Sequence, residues 1–257
     1  MSLRRVAIQV QEDDAEAARA ALLDFSPTGF EEVERTGTVE LAVYTDADGE
    51  ERLRARFDEV AGEDVAPDWT DRWRAFHRPV RVGPLWVGPP WDEPDPGLIP
   101  VVIEPAQAFG TGAHPTTRLT LELLLDLPKG SVLDVGCGSG VLSVAAAKLG
   151  YGPIVAVDYD PIAVETARAN AEANGVAFDA RVGDALEMDL PETDIVVANV
   201  SEHILEGLAP RLAAPFLVAS GFYVDQEPPM RGYLEVDRRV QDRWLAILAH
   251  RISPAEG

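Results

Sequence analysis

Ser131-Val-Leu-Asp-Val-Gly-Cys-Gly-Ser-Gly140 decides how this chain is read: an apolar run carrying one acid gives way to three glycines in five residues. The run has the content of a buried strand, and Val141 to Leu149 reads as a helix with Val141, Leu142, Ala145 and Leu149 on one face. Glycine allows dihedrals that other residues avoid and lets a ligand approach bare backbone, so strand, glycine turn and helix in that order make a cofactor cradle. After Gly150, Ile154-Val-Ala-Val157 reads as a second buried strand that ends at Asp158, 22 positions beyond Gly136. That offset is close to the roughly 20 residues at which a carboxylate meets a ribose hydroxyl in a βαβ nucleotide site.

The glycine spacing discriminates between cofactors. Gly136, Gly138 and Gly140 follow G-x-G-x-G with Asp134 two places ahead, whereas a dinucleotide fingerprint needs a glycine where Val141 stands. An acid at Asp134 would oppose a phosphate but suits a ligand carrying an ammonium and a sulfonium. The constellation resembles motif I of the class I S-adenosylmethionine-dependent methyltransferases. The plainer alternative is a turn whose glycines serve only packing, and Asp134 in front with Asp158 behind weighs against it.

A length of 257 residues allows one large domain or a medium one with a small companion, and 46% hydrophobic with 26% charged residues is the composition of a globular protein. No apolar run approaches the ~18–20 residues that span a bilayer. The start, Met-Ser-Leu-Arg-Arg, leads into an alternating strand pattern and not a secretory leader, so a cytoplasmic protein without membrane contact is expected. Cys137 is the only cysteine, which excludes an internal disulfide and a cysteine-based zinc site; no metal is expected. Its place in the glycine turn, where a small side chain is wanted, marks it as structural and not nucleophilic. The formal charge is −22, from 44 acids against 22 bases, and Lys129 and Lys148 are the only lysines. Such a field repels phosphate backbones and argues against direct nucleic-acid binding, while it fits a basic protein or an amine-bearing partner. Adaptation to a salty cytoplasm would leave the same acidity.

Toward the N-terminus, Val6, Ile8 and Val10 alternate as in a half-buried strand, and Asp13 or Asp14 can cap a helix reaching about Phe25. Phe30 to Arg35 and Val39 to Val43 suggest two strands joined through Thr36-Gly37-Thr38, and Asp48-Gly49 opens a helix from Glu50 to Val60. This βαββα unit, residues 1–62, is a small α+β module. Residues 63–104 read as a linker: Trp69, Trp73 and Phe76 share one face of a short helix, and a proline- and tryptophan-rich stretch follows with strand-like pieces Leu85-Trp-Val87 and Val101-Val-Ile103.

Residues 105–257 form the large domain. Ala108-Phe-Gly-Thr-Gly-Ala-His-Pro-Thr-Thr-Arg118 is a glycine loop leading into a helix opened by Pro115, Thr116 and Thr117, so loop and helix N-terminus lie just before the glycine-rich strand. His114 reads as structural or as a proton relay. Beyond Asp158, a helix from Asp160-Pro161 stops at Asn174-Gly175. Phe178 to Val182 is a third strand followed by Gly183-Asp184, where a side-chain acceptor can meet an adenine amine. Thr193 to Ala198 is a fourth strand delivering Asn199, a helix covers Ser201 to Leu212, and Phe216 to Ala219 is a fifth strand ended by Ser220-Gly221. Gly232 to Val240 and Trp244 to His250 make a final strand pair. The alternation predicts an α/β class fold: a Rossmann-like, seven-stranded, mainly parallel sheet with ligands at its C-terminal strand ends, where Gly136, Asp158, Asp184 and Asn199 all fall.

From Trp69 onward the strings Ala108-Phe-Gly-Thr-Gly-Ala-His-Pro-Thr-Thr117, Leu133-Asp-Val-Gly-Cys-Gly-Ser-Gly140, Val157-Asp-Tyr-Asp-Pro161, Ala198-Asn199 and Ser220-Gly221 resemble, in that order, the ribosomal-protein methyltransferases of the PrmA type. The resemblance implies S-adenosylmethionine as methyl donor and, as acceptor, lysine or N-terminal amines of the basic large-subunit ribosomal protein L-eleven. It implies that the N-terminal module recognises that substrate, and that Thr117, Gly136, Asp158 and Asn199 contact S-adenosylmethionine. The general methyltransferase pattern adds Asp134, Gly138 and Asp184. Asn199 is the expected catalytic residue, its amide oxygen or an adjacent backbone carbonyl accepting a hydrogen bond from the attacking amine, with His114 or His203 as candidate proton relays. The enzyme is expected to be a monomer. A small-molecule methyltransferase would share every cofactor motif, a non-catalytic adenosylmethionine-binding protein of the ribosome would share the binding ones, and Val141 and Asp134 disfavour a nicotinamide oxidoreductase.

Overall fold

The computed structural model describes residues 4–25, 30–35, 37–64, 78–104 and 112–252. The expected helix bearing Trp69, Trp73 and Phe76, and the Ala108 to Thr111 part of the glycine loop, lie outside them. The chain divides into two compact units, residues 1–76 and 77–257.

In the first unit β1 (Arg4–Gln11) leads through a single 3-10 turn into α1 (Ala15–Phe25), followed by β2 (Glu31–Arg35), β3 (Thr38–Thr45), α2 (Ala47–Arg54) and β4 (Val60–Asp64). The antiparallel sheet has the order β2-β3-β1-β4, and Val6, Ile8, Leu22, Leu41, Val43 and Leu53 form its core. Two expectations are corrected here. The second helix starts earlier, because the Asp46 carboxylate accepts from the Gly49 amide at 2.9 Å and caps it. It also ends at Arg54, and Val60-Ala-Gly-Glu-Asp64, with almost no apolar period of its own, becomes a strand because β1 offers it a free edge, with Val6 opposite Gly62 and Ile8 opposite Val60.

The second unit opens with β5 (Val80–Val82), β6 (Leu85–Gly88) and β7 (Ile99–Val102), a three-stranded sheet. There follow α3 (Pro115–Leu125), β8 (Val132–Val135), α4 (Val141–Lys148), β9 (Ile154–Asp158), α5 (Pro161–Ala173), β10 (Asp179–Val182), β11 (Ile195–Asn199), α6 (Glu202–Leu208), β12 (Phe216–Tyr223), β13 (Tyr233–Gln241) and β14 (Trp244–Arg251). Seven strands run in the order β10-β9-β8-β11-β12-β14-β13, and β14 runs antiparallel to both strands beside it. Central strands are apolar apart from Asp134 in β8 and the polar residues at their C-terminal ends, because both faces are covered. Val132, Ile195, Val197 and Val218 pack with Leu119, Leu123 and Val144 on one side, while Leu133, Val135, Val196 and Leu217 pack with Leu205, Leu208 and Phe222 on the other.

The fifth strand does not stop at Ser220-Gly221. Antiparallel pairing with β14 carries it on to Tyr223, opposite Trp244, with a register shift between Ser220 and Phe222. Gly221 makes the bend possible: its φ is +109°, and a Cβ there would stand 2.3 Å from the Val200 carbonyl oxygen.

Two buried asparagines tie the small sheet to the large one. Asn174 accepts from the Val102 amide at 2.9 Å and donates to the Val102 carbonyl at 2.6 Å, completing β7 as a neighbouring strand would. One turn earlier, Asn170 accepts from the Glu104 amide at 3.1 Å and donates to the Ser139 carbonyl in the glycine turn at 2.8 Å. Substituting Asn174→Ala leaves both Val102 groups unpaired and is expected to cost about 2–4 kcal/mol; urea unfolding monitored by circular dichroism, with an unchanged denaturant slope, checks this.

Candidate active site

The site is built at the C-terminal ends of β8, β9, β10 and β11. The turn after β8 is clamped onto β9: the Gly136 and Cys137 amides both donate to the Val157 carbonyl, at 2.8 and 3.1 Å. Gly136, Gly138 and Gly140 have φ of +70°, +51° and +76°, a region costly for side-chain-bearing residues. At Gly140 a Cβ would meet Ala167 of α5 at 2.8 Å, and at Gly136 it would meet Val200 at 2.9 Å. The glycines therefore let the turn lie against α5 on one side and against the residue after Asn199 on the other.

Asp158, 8% exposed, has each carboxylate oxygen fixed by one amide: Gly138 donates to Oδ2 at 2.9 Å and Asp160 donates to Oδ1 at 3.0 Å. One amide per oxygen holds the group in place and leaves lone pairs for further donors, which suits a ribose diol. The Gly183 amide donates to the Asp158 carbonyl at 2.9 Å, bringing the end of β10 alongside. The Asp184 side chain is exposed and accepts from the Leu186 amide at 2.8 Å, forming an Asx turn with its second oxygen outward.

Asp134 is fully buried, its Oδ2 accepting from the Ser143 hydroxyl of α4 at 2.6 Å, while its Oδ1 has no hydrogen-bond partner among the described residues. Burial first, and the Asp158 charge in addition, push its carboxyl up to about 7 against the pull of Ser143. Cys137 is buried in the same turn, and burial with the charges of Asp134 and Asp158 pushes its thiol well up, which keeps it protonated and unreactive.

Asn199 ends β11 half-buried, and its Nδ2 donates to the Thr116 hydroxyl at 3.0 Å. Thr116 is the second residue of α3, which Pro115 opens and His114 caps: the His114 Nδ1 accepts from the Thr116 amide at 3.3 Å and lies 2.7 Å from the Thr116 hydroxyl. Burial, then Arg118, hold the His114 ring below its ordinary value and so neutral. Thr117 beside it is 1% exposed, and its hydroxyl oxygen is unpartnered among the described residues. His203 is exposed on α6, and among the described residues no hydrogen bond joins it to Asn199.

Hydrogen bonds thus bring together Gly138 with Asp158, and Asn199 with the N-terminus of α3. Sequence reasoning passed over Thr116 and Ser143, the residues that orient Asn199 and hold Asp134. The doubled threonine after Pro115 was the available signal for the first; nothing in the sequence marked the second.

The residues present fit S-adenosylmethionine. Between Ser131 and Ala147, and in the residues directly after β9, β10 and β11, there is no lysine or arginine to meet a pyrophosphate, and Arg181 near the end of β10 pairs with Asp179 at 2.6 Å. Instead there are a fixed carboxylate for hydroxyls, an orphaned buried threonine oxygen and a turn whose backbone is bare.

The profile of the family described as "Ribosomal protein L11 methyltransferase (PrmA)" matches residues 30–224. The chain belongs to this family. The ribosomal protein L11 methyltransferase of Symbiobacterium thermophilum is 40% identical over 198 residues, 71% of this chain and 65% of that protein. The Aeromonas hydrophila protein of that name is 37% identical over 227 residues, covering 77% of this chain and 76% of its own. The chain thus spans about two thirds of the first relative's length and three quarters of the second's. The crystal structure of the ribosomal protein L11 methylase from Lactobacillus delbrueckii subsp. bulgaricus superposes with a TM-score of 0.62 at 26% identity, over 68% of this chain and 99% of that one. Among the described residues no helix is long and apolar enough to cross a membrane.

The position of Asp134 gives a stability prediction. Its folded value, about 7, lies above the unfolded value of 3.8, so its contribution is complete below about pH 4 and is lost as pH rises toward 7. Asp134→Asn removes that loss. Relative to the wild type, the variant should gain up to about 4 kcal/mol between roughly pH 4 and pH 8, read from urea unfolding across that range.

Proposed function

We propose that this chain is an S-adenosylmethionine-dependent protein N-methyltransferase acting on lysine or N-terminal amines of ribosomal protein L11. The observation that carries the reading is the pairing, at one sheet edge, of an oriented carboxylate on Asp158 with an oriented amide on Asn199. S-adenosylmethionine supplies an electrophilic methyl group on a cationic sulfur. Asp158 accepts from the ribose hydroxyls, Gly136 and Gly138 give the backbone clearance for close approach, and the exposed oxygen of Asp184 meets the adenine amine. Thr117 offers its unpartnered hydroxyl, and Asp134 supplies negative charge beneath the turn on the ammonium and sulfonium side.

The acceptor nitrogen must arrive neutral. A lysine amine has a reference pKa of about 10.4 and an α-amine about 8, so the proton is lost to solvent as the amine leaves water for the apolar site. Asn199 Oδ1, left free by the amide's engagement through Nδ2, accepts one remaining N–H and points the lone pair at the methyl. Positioning and exclusion of water then dominate the rate acceleration.

Residues 1–62 serve as the substrate-recognition module, residues 63–104 as the linker and residues 105–257 as the methyltransferase domain. The enzyme works as a cytoplasmic monomer on the free basic protein, and its negative field draws that partner while keeping nucleic acid away.

Incubation with labelled S-adenosylmethionine and a ribosomal protein extract should give one labelled band at the size of ribosomal protein L11. Label in the small-molecule fraction would replace this reading with a small-molecule acceptor, and binding without any label would leave only a cofactor-binding role. Asn199→Ala should lower turnover about 100-fold or more while S-adenosylhomocysteine still binds, as measured by calorimetry.

A further inference from the structure

We infer that Thr116 is a positioning residue, which fixes the orientation of the Asn199 amide through a hydrogen-bond chain starting at His114. The inference rests on the methyltransferase reading and deepens it.

An asparagine amide in isolation can present either its oxygen or its NH2 group to a substrate, and only its other partner decides which. Here the decision can be traced. The Thr116 backbone amide is an obligatory donor, and it is directed at His114 Nδ1. Nδ1 is therefore an acceptor, and the ring proton sits on Nε2. The Thr116 hydroxyl, 2.7 Å from the same Nδ1, must donate to it. Having spent its one proton, that hydroxyl faces Asn199 at 3.0 Å with a lone pair. Asn199 has to answer with NH2, and its oxygen is turned the other way, to where an amine N–H needs an acceptor.

The start of the chain is held from two sides. Pro115 fixes the first residue of α3, and the His114 ring packs edge-on to Trp244 with centroids 4.7 Å apart and planes at 69°. Trp244 is in turn stacked against Tyr223 at 4.5 Å, so the ends of β12 and β14 brace the imidazole. Thr116 itself is 2% exposed, which shields the chain from competing water.

The test is steady-state methylation of ribosomal protein L11 by the full chain, alongside calorimetric binding of S-adenosylhomocysteine. Thr116→Val keeps shape and removes the hydroxyl. It should lower kcat about tenfold to 100-fold, as a loosened amide would, with KM for the protein substrate and cofactor affinity within about twofold. Thr116→Ser keeps the hydroxyl and should recover most of the loss, and Thr116→Val added to Asn199→Ala should cost no more than Asn199→Ala alone. A Thr116→Val enzyme with wild-type kcat, beside an inactive Asn199→Ala, overturns the inference and leaves the role of Asn199 standing; an active Asn199→Ala enzyme overturns that role first. Nitrogen-15 NMR of the wild-type histidines, assigned against His114→Asn, gives a readout independent of how the Thr116 variants fold. His114 should be in the Nε2–H tautomer, and a proton on Nδ1 would refute the chain.

Discussion

The hydrogen bond from the Gly138 amide to the Asp158 carboxylate is the contact on which the rest of the site depends. It joins the turn after β8 to the end of β9, and it does so through a carboxylate that keeps lone pairs for further donors. Because Gly136 and Cys137 donate to the Val157 carbonyl and Asn170 grips the Ser139 carbonyl, the turn is tied at nearly every residue before any ligand arrives. A carboxylate so fixed loses little freedom on binding, which is the physical content of preorganisation. The glycines are required here for clearance as much as for dihedrals. Filling Gly140 would push the turn off α5, and filling Gly136 would push it off Val200 and so away from Asn199.

Charge is distributed to a purpose that net charge conceals. Much of the acidity in the first unit is locally compensated: Arg5 pairs with Glu31, Glu40 and Glu63, and Arg4 with Glu50 and Asp64. These half-exposed pairs contribute little each to stability. In the second unit the buried acids among the described residues are Asp134 and Asp158, and neither forms an ion pair with a described residue. Asp134 in particular is held in a place where its charge is costly, which is tolerable if a cationic ligand lowers that cost when it binds.

The sheet was legible because its strands are buried on both faces: Ile154 to Val157 and Ile195 to Ala198 are unbroken apolar runs, Val132 to Val135 is interrupted only by Asp134, and glycines and acids follow at the C-terminal ends. Strand β4 was not legible, since Val60-Ala-Gly-Glu-Asp64 owes its conformation to the edge of β1 and not to its own pattern. The continuation of β12 past Gly221 was hidden for a similar reason, because its hydrogen bonds come from a strand over twenty residues later. Asn170 and Asn174 look in sequence like the solvent side of a helix. Only the tertiary placement of Val102 and Glu104 shows that they replace a missing strand partner. In the site, the candidate cofactor residues were named from glycine spacing and from family resemblance, whereas Ser143 and Thr116, which hold Asp134 and Asn199, were not. A holding residue is defined by an angle to its neighbour, and spacing carries no angles.

The bend at Gly221 connects these observations. Its α-carbon lies so close to the Val200 carbonyl that no side chain fits, which brings β12 against the residue following Asn199. Past the bend, Gln226 accepts from the Tyr223 amide and donates to Glu202 at the start of α6, closing the chain over the same edge. Tyr223 and Trp244 are thereby placed where they brace His114, and through Thr116 they brace Asn199. The end of β8 is thus shaped by the glycines of the turn that follows it, and the end of β11 by one glycine on a strand more than eighty residues later. Two backbone close approaches, and not a single rigid wall, set the shape of this sheet edge.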